Sequence, residues 1–248
     1  MSADEAVERL RALGFSGTDA RILADHFLDA ESRGKAGHGR ARIDWLETLP
    51  DVDPEAQPER VLAEEAYERW EGRGSLGYLT LHAICEAQLE SPPRHARVVV
   101  AHQCFPTGML GYWVRHLAEN GLVAVLTATS PRRLAHPNGG PKLTGTNPLA
   151  IGIPSSDGQP VVADVSMAKA THGDVLAGLA SPEDVVPFGG KQAYKPFALA
   201  VGLQLLVDSL AGDSYGAVML VARPEADPVP ALRELAADVR LPGDPPRR

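Results

Sequence analysis

Cysteine is scarce in this chain, with two residues in 248, Cys85 and Cys104. Two thiols cannot build a disulfide framework or a cysteine-rich metal site, and no metal site is expected. Clustered basic charge is missing as well. Lys and Arg number 24 against 32 Asp and Glu, for a formal charge of −8. The Arg-Arg pairs at 132–133 and 247–248 are too short to form a binding stripe. Nucleic acid and acidic membrane surfaces are thus not expected as partners, because both need clustered cations. No apolar run approaches the roughly 20 residues of a membrane-spanning helix. The opening Met-Ser-Ala-Asp-Glu-Ala lacks the basic-then-apolar pattern of a secretory signal, so a cytoplasmic location is expected. Common nucleotide and hydrolase motifs give no support either: the spacing G-x-G-x-x-G occurs at Gly72 to Gly77, where Gly72-Arg73-Gly74 reads only as a turn, and G-x-x-x-x-G-K-[ST], H-E-x-x-H and G-x-S-x-G are absent.

What is present is an ordinary globular composition, 44% hydrophobic and 23% charged. Helical spacing of apolar residues predicts helices over 3–13, from Thr18 (a cap candidate) to near Gly34, over 42–46, and from about Tyr78 to Leu89. A proline-rich stretch from Pro50 to Pro58 reads as a linker. Runs at 98–100, 122–126, 149–153, 161–164 and 218–222 read as strands. The segment 197–210 is helical with apolar residues almost all round, which suits a deep core or a subunit interface. Between the strands lies a glycine-rich loop, Asn138 to Pro148, whose free backbone N–H groups suit a ligand.

Motifs taken in order carry a resemblance. They are Gly37-His38-Gly39 with Arg42, Gly74-Ser75-Leu76-Gly77, Gly111-Tyr112, Ala118-Glu119-Asn120-Gly121-Leu122 and Thr129-Ser130-Pro131. Gly145-Thr146-Asn147-Pro148, Asp164 and Pro187-Phe188-Gly189-Gly190 follow. This pattern resembles the non-Rossmann malate/L-lactate dehydrogenase family, which includes reductases of cyclic imino acids and dehydrogenases of ureidoglycolate and sulfolactate. It spans roughly residues 5 to 222.

The resemblance implies an α/β fold: a central mixed sheet with helices and an N-terminal helical region. The expected organisation is 1–72 helical, contributing to the substrate site and dimer, then 73–222 as the sheet domain, then 223–248 as a tail with a short helix. It further implies a homodimer that uses NADH or NADPH to reduce a small 2-oxo acid or cyclic imino acid, or to run the reverse oxidation. Arg42 would hold the substrate carboxylate, since a guanidinium fork suits a carboxylate. His38 would protonate the nascent oxygen or nitrogen, and Asp164 would orient or charge-stabilise a histidine. Thr129, Ser130, Gly139, Gly140, Gly145, Thr146, Asn147 and Lys191 would meet the cofactor.

Read without the resemblance, Arg42 equally suits pairing with Asp44 or Glu47, and Asp164 equally suits binding backbone N–H groups. There are also departures. The family's Ser-His-Gly is Gly37-His38-Gly39 here, and its second histidine falls on Pro106, which has no proton to give. Candidates to replace that acid are His102, His136 and His172, with His102 preferred because it precedes Pro106 on the same segment. The departures leave room for acid–base chemistry without a nicotinamide, or for an inactive binding subunit.

Overall fold

The computed structural model describes residues 1–244. Helix α1 (Ala3–Ala12) begins with reciprocal capping between Ser2 and Glu5. Helix α2 (Gly17–Ser32) is capped by Ser16, whose hydroxyl accepts from the Asp19 N–H, so Thr18 already lies inside the first turn. A single 3₁₀ turn (Ala36–His38) leads into the short α3 (Ala41–Leu46). Then come β1 (Glu59–Ala63), β2 (Tyr67–Glu71), α4 (Gly77–Glu90), β3 (Ala96–His102), α5 (Leu110–Glu119) and β4 (Val123–Ala128). The second half runs β5 (Leu134–Ala135), β6 (Lys142–Thr144), β7 (Leu149–Ile153), β8 (Val161–Val165), α6 (His172–Leu176), α7 (Tyr194–Ala211), β9 (Gly216–Ala222) and α8 (Val229–Ala236).

Seven strands form one mixed sheet in the order β1-β2-β3-β9-β4-β7-β8. Only β2 and β3 pair in parallel, through the crossover α4, and every other neighbouring pair is antiparallel. Strand β9, late in the chain, slots between β3 and β4 and so ties the two halves together. Strands β5 and β6 make a separate small hairpin.

One apolar core joins α1, α2, α4 and α5 to a face of this sheet, with Trp113, Phe27, Leu81, Ile84, Leu117 and Leu126 fully buried in it. Each such side chain contributes about 1.5–3 kcal/mol by leaving water. The N-terminal helices therefore share their core with the sheet, and the span 1–72 includes two of its strands. On the opposite face lies α7, which buries Val207 and Ala211 against Val100. Its far side keeps Leu199, Leu205, Leu206 and Leu210 exposed, so of the two settings its composition suits, a deep core within this chain does not apply.

Strands β1 and β2 escape a hydropathy reading for a physical reason. β1 is exposed along its whole length, and β2 buries a charge where an apolar residue would be expected. Glu68 is 2% exposed and is met by Arg97 (3.1 Å), Trp70 Nε1 (3.1 Å) and Gln88 Nε2 (2.9 Å). The tail also departs from expectation. It reads as frayed from Leu241 onward, yet the Val162 N–H donates to the Pro242 carbonyl and Asp244 pairs with Arg233. Residues 245–248 of that reading lie outside the described residues. No helix among the described residues is long and apolar enough to cross a membrane.

Candidate functional site

A cavity of about 420 Å³ opens beside Tyr78 of α4, where four other parts of the chain meet. They are the turn and α3 at 34–45, the loop 105–110 entering α5, the loop after β4 with Thr146 and Pro148, and the segment from Asp164 to Asp174.

His38 closes the 3₁₀ turn rather than opening a helix, and α3 starts three residues later. His38 and Arg42 therefore do not share a helix face as their spacing suggests. They meet in the cavity because Arg42 folds back, its Nε donating to the Gly37 carbonyl at 2.9 Å. Arg42 is 8% exposed, and its guanidinium lies 5.3 Å from the Trp45 ring centre. Asp44 and Glu47, the partners the bare sequence offered it, are both taken by Arg9, at 2.8 and 2.6 Å. Among the described residues Arg42 forms no ion pair. A buried cation with only a carbonyl and an aromatic face for company lacks a counter-ion.

That turn is pinned by a close approach of two glycines. A Cβ on Gly37 would stand 2.6 Å from Asp174 Oδ1 and 2.7 Å from the Gly173 carbonyl carbon. A side chain at either position would push α6 away, and with it His172, which lines the cavity.

Burial and the neighbouring Arg42 hold His38 down to about pKa 3, against the opposing pull of Asp174. The imidazole is therefore neutral at ordinary pH, and in the free protein it acts as a hydrogen-bond donor or acceptor rather than as an imidazolium acid. His172, more open, is also lowered, first by burial and then by Arg133 and Arg42. Asp164 lies on β8 with Oδ2 accepting the Gly111 N–H at the start of α5 (2.8 Å). Burial raises its pKa, with that N–H, Lys35 and Arg115 pulling the other way.

Of the sequence-derived residues, His38, Arg42, Asp164, Thr129, Ser130 and Thr146 line this cavity. Others do not. His102 faces away at the end of β3, with Nδ1 2.6 Å from Glu71 Oε2, because successive side chains of a strand point to opposite sides. Among its alternatives, His136 bonds the Asn138 N–H beside the small hairpin, whereas His172 reaches the cavity. Gly139 and Gly140 form the exposed tip of the β5–β6 hairpin, and Lys191 sits on an exposed turn before α7. Asn147 is fully buried, its amide donating to the Ala200 carbonyl (3.1 Å) and to Gln204 Oε1 (3.0 Å). The Gly145 N–H donates to the same Gln204 oxygen. These two residues anchor the loop to α7, and the anchored loop presents Thr146.

The cavity wall also holds Lys35, Tyr78 and Arg133, which sequence reasoning passed over. Neither Lys35 nor Arg133 forms an ion pair among the described residues. In a chain of charge −8, the cavity wall sets Lys35, Arg42 and Arg133 against the carboxylates of Asp164 and Asp174, a local excess of positive charge that favours an anion. The Arg132-Arg133 pair is the signal in the sequence, though two residues are too few to read as a binding stripe.

Comparison with known proteins agrees with this architecture. The malate/L-lactate dehydrogenase family profile matches residues 3–185. The chain belongs to that family. A (2R)-3-sulfolactate dehydrogenase (NADP(+)) of Chromohalobacter salexigens is 30% identical over 86% of this chain and 65% of its own length. A Δ¹-pyrroline-2-carboxylate/Δ¹-piperideine-2-carboxylate reductase of Pseudomonas putida is 30% identical over 82% of the chain and 67% of its own. The chain thus spans about two thirds of the length of these two family members. Among solved structures, the malate dehydrogenase of Pyrococcus horikoshii OT3 superposes with a TM-score of 0.81 at 19% identity, over 96% of this chain and 80% of that one. The Δ¹-piperideine-2-carboxylate reductase of Pseudomonas syringae gives 0.81 at 22%, over 98% and 91%. The fold is therefore the family's mixed-sheet fold.

Proposed function

We propose that this chain is a nicotinamide-dependent oxidoreductase of a small 2-oxo acid or cyclic imino acid. The observation that carries the reading is the buried, unpaired Arg42 beside a neutral His38 in one cavity. An arginine so placed is a carboxylate receptor, able to offer a bidentate fork in a dry setting. The names of the relatives, sulfolactate dehydrogenase and cyclic imino acid reductase, fit a ligand of that class.

The residues present also fit a dinucleotide. Lys35 and Arg133 offer positive charge to phosphates, and Ser130 and Thr146 offer hydroxyls beside the same cavity, while Thr129 spends its hydroxyl and N–H on Gly216 and holds the loop in place. NADH or NADPH, when bound, supplies a hydride to the carbon next to the carboxylate. The chain's own residues do the rest. Arg42 orients the acid, and its positive charge, which depresses the His38 pKa, is offset once a carboxylate sits on it. His38 then donates a hydrogen bond to the oxygen or nitrogen that gains charge, and its proton affinity rises toward that of an acid. Asp164, raised by burial, stands by as a second proton-holding group. His172 joins Asp164 in that role from the more open side of the cavity.

The exposed leucines of α7 support a homodimer that covers them. The functional reading is tested by adding a 2-oxo acid such as oxaloacetate, or a cyclic imino acid, to the protein with each nicotinamide. Consumption of the reduced cofactor supports it, and inertness toward every acid of both classes contradicts it.

A further inference from the structure

Tyr78 stands in the first turn of α4, is fully buried, and still forms part of the cavity wall. Its ring meets His26 edge-on (centroids 5.0 Å apart) and Phe27 likewise (5.1 Å). The loop before α5 closes on the same rings. Gly108 takes a left-handed φ of +69°, and a Cβ there would overlap both Tyr78 Cε1 and His26 Nε2. The Met109 N–H then donates to His26 Nε2 at 3.1 Å, fastening the loop over the pair. A ring packed this tightly cannot swing to find a partner.

Its hydroxyl needs one. Tyr78 Oη is buried without a hydrogen bond to any described residue, as is Nδ1 of His38 on the same wall. Buried hydroxyls are hydrogen-bonded as a rule, because an unmet one forfeits its hydration. The phenol is also pushed up by burial, with Arg42 opposing, so it keeps its proton. Tyr78 lines the same cavity as Arg42, whose charge acts on the phenol, so a guest held there can supply the missing partner.

We propose that Tyr78 is a substrate-binding residue whose hydroxyl donates a hydrogen bond to an oxygen of the oxyacid held by Arg42. The assignment rests on the oxidoreductase reading above and adds to it a selection rule: the ligand must present an acceptor at the phenol. An analogue with a methyl group there is bound less well, because it leaves the donor unmet.

The test removes the oxygen alone, with Tyr78→Phe. Oxalate, which is planar and carries acceptor oxygens beside its carboxylate, is the probe, measured by calorimetry on the whole protein. Thermal midpoints without ligand and a titration with NADPH and NADH run alongside. The variant is expected to melt at or above the native midpoint and to bind nicotinamide like the native protein. It is expected to bind oxalate roughly 10- to 100-fold more weakly. Oxalate binding within twofold of native overturns the assignment while leaving the oxidoreductase reading in place. A lower midpoint in the absence of ligand also overturns it, because the hydroxyl would then serve the fold. Native protein that binds no oxalate overturns the oxyacid reading and this assignment together.

Discussion

The Nε of Arg42 donates to the carbonyl oxygen of Gly37 at 2.9 Å, and this bond turns the guanidinium back toward His38. The cation is buried, and its charge meets a carbonyl and an indole face but no carboxylate. Such an arrangement is costly in the free protein and favourable once an anion arrives. Arg42→Met removes the charge while keeping much of the volume. Its free-state midpoint is expected to stay within a few degrees of native or to rise, since apolar replacement of a buried charge is commonly neutral or stabilising. Turnover of a 2-oxo acid is expected to fall by about 10²–10³-fold, the effect of truncating one partner of a buried charge pair. A melting curve and a kcat/KM measurement check the two halves separately.

His38 makes stability depend on acid. Burial and Arg42 hold its folded pKa at about 3, against an ordinary value of 6.5, with Lys35 adding to the fall and Asp174 opposing it. As pH falls below 6.5 the unfolded chain takes up the proton first, so the unfolded state is favoured progressively until the folded pKa is passed. This contribution is therefore present in full above pH 6.5 and is lost as pH falls from 6.5 toward 3. His38→Asn lacks it. Between about pH 7 and about pH 5 the variant is expected to lose less stability than native, by about 2 kcal/mol. Urea unfolding at the two pH values measures the difference, and equal losses would contradict the neutral, buried imidazole.

Gly37 is required by the approach of α6. A Cβ there would press on Asp174 and on the Gly173 backbone, neither of which can yield without moving the helix. Gly37→Ala is expected to cost about 1–3 kcal/mol, as overpacking does, and to lower the midpoint by several degrees. Activity is expected to fall further than the midpoint implies, because His172 moves with α6. Proteolysis rates at the 172–180 segment give an independent reading of that displacement.

Asn147 anchors the loop that presents Thr146. Its buried amide serves both the Ala200 carbonyl and Gln204, and its φ of +30° suits asparagine better than a residue without that side chain. Asn147→Ala removes the donor to the Ala200 carbonyl and leaves Gln204 Oε1 with the Gly145 N–H alone, a loss of about 1–3 kcal/mol in all. The expected outcome is a large loss of stability and weaker nicotinamide binding, read by thermal melts and by titration.

How much of this was legible in the sequence depends on what a residue sits beside. Strands β3, β4, β7, β8 and β9 carry β-branched runs and announced themselves. β1 and β2 did not, because one lies wholly on the surface and the other buries Glu68 in place of an apolar residue. Among the cavity-lining residues, His38, Arg42 and Asp164 follow from motifs that the family resemblance makes readable. His102 looked right by its nearness to Pro106 along the chain, but β3 turns it toward Glu71. His172, far from both in sequence, reaches the cavity because two glycines let α6 dock. Tyr78 gave no signal at all: its role depends on an unmet hydroxyl, which only packing reveals.

The central claim is that this cavity brings a nicotinamide and a carboxylate-bearing acid together on Arg42 and His38. Fluorescence titration of NADH and NADPH with the native protein, in the presence and absence of oxalate, addresses it most directly. A saturable signal with at least one of the two cofactors, tightened by oxalate in native protein and not in Arg42→Met, is the predicted result. No binding of either cofactor up to millimolar concentration would contradict the account.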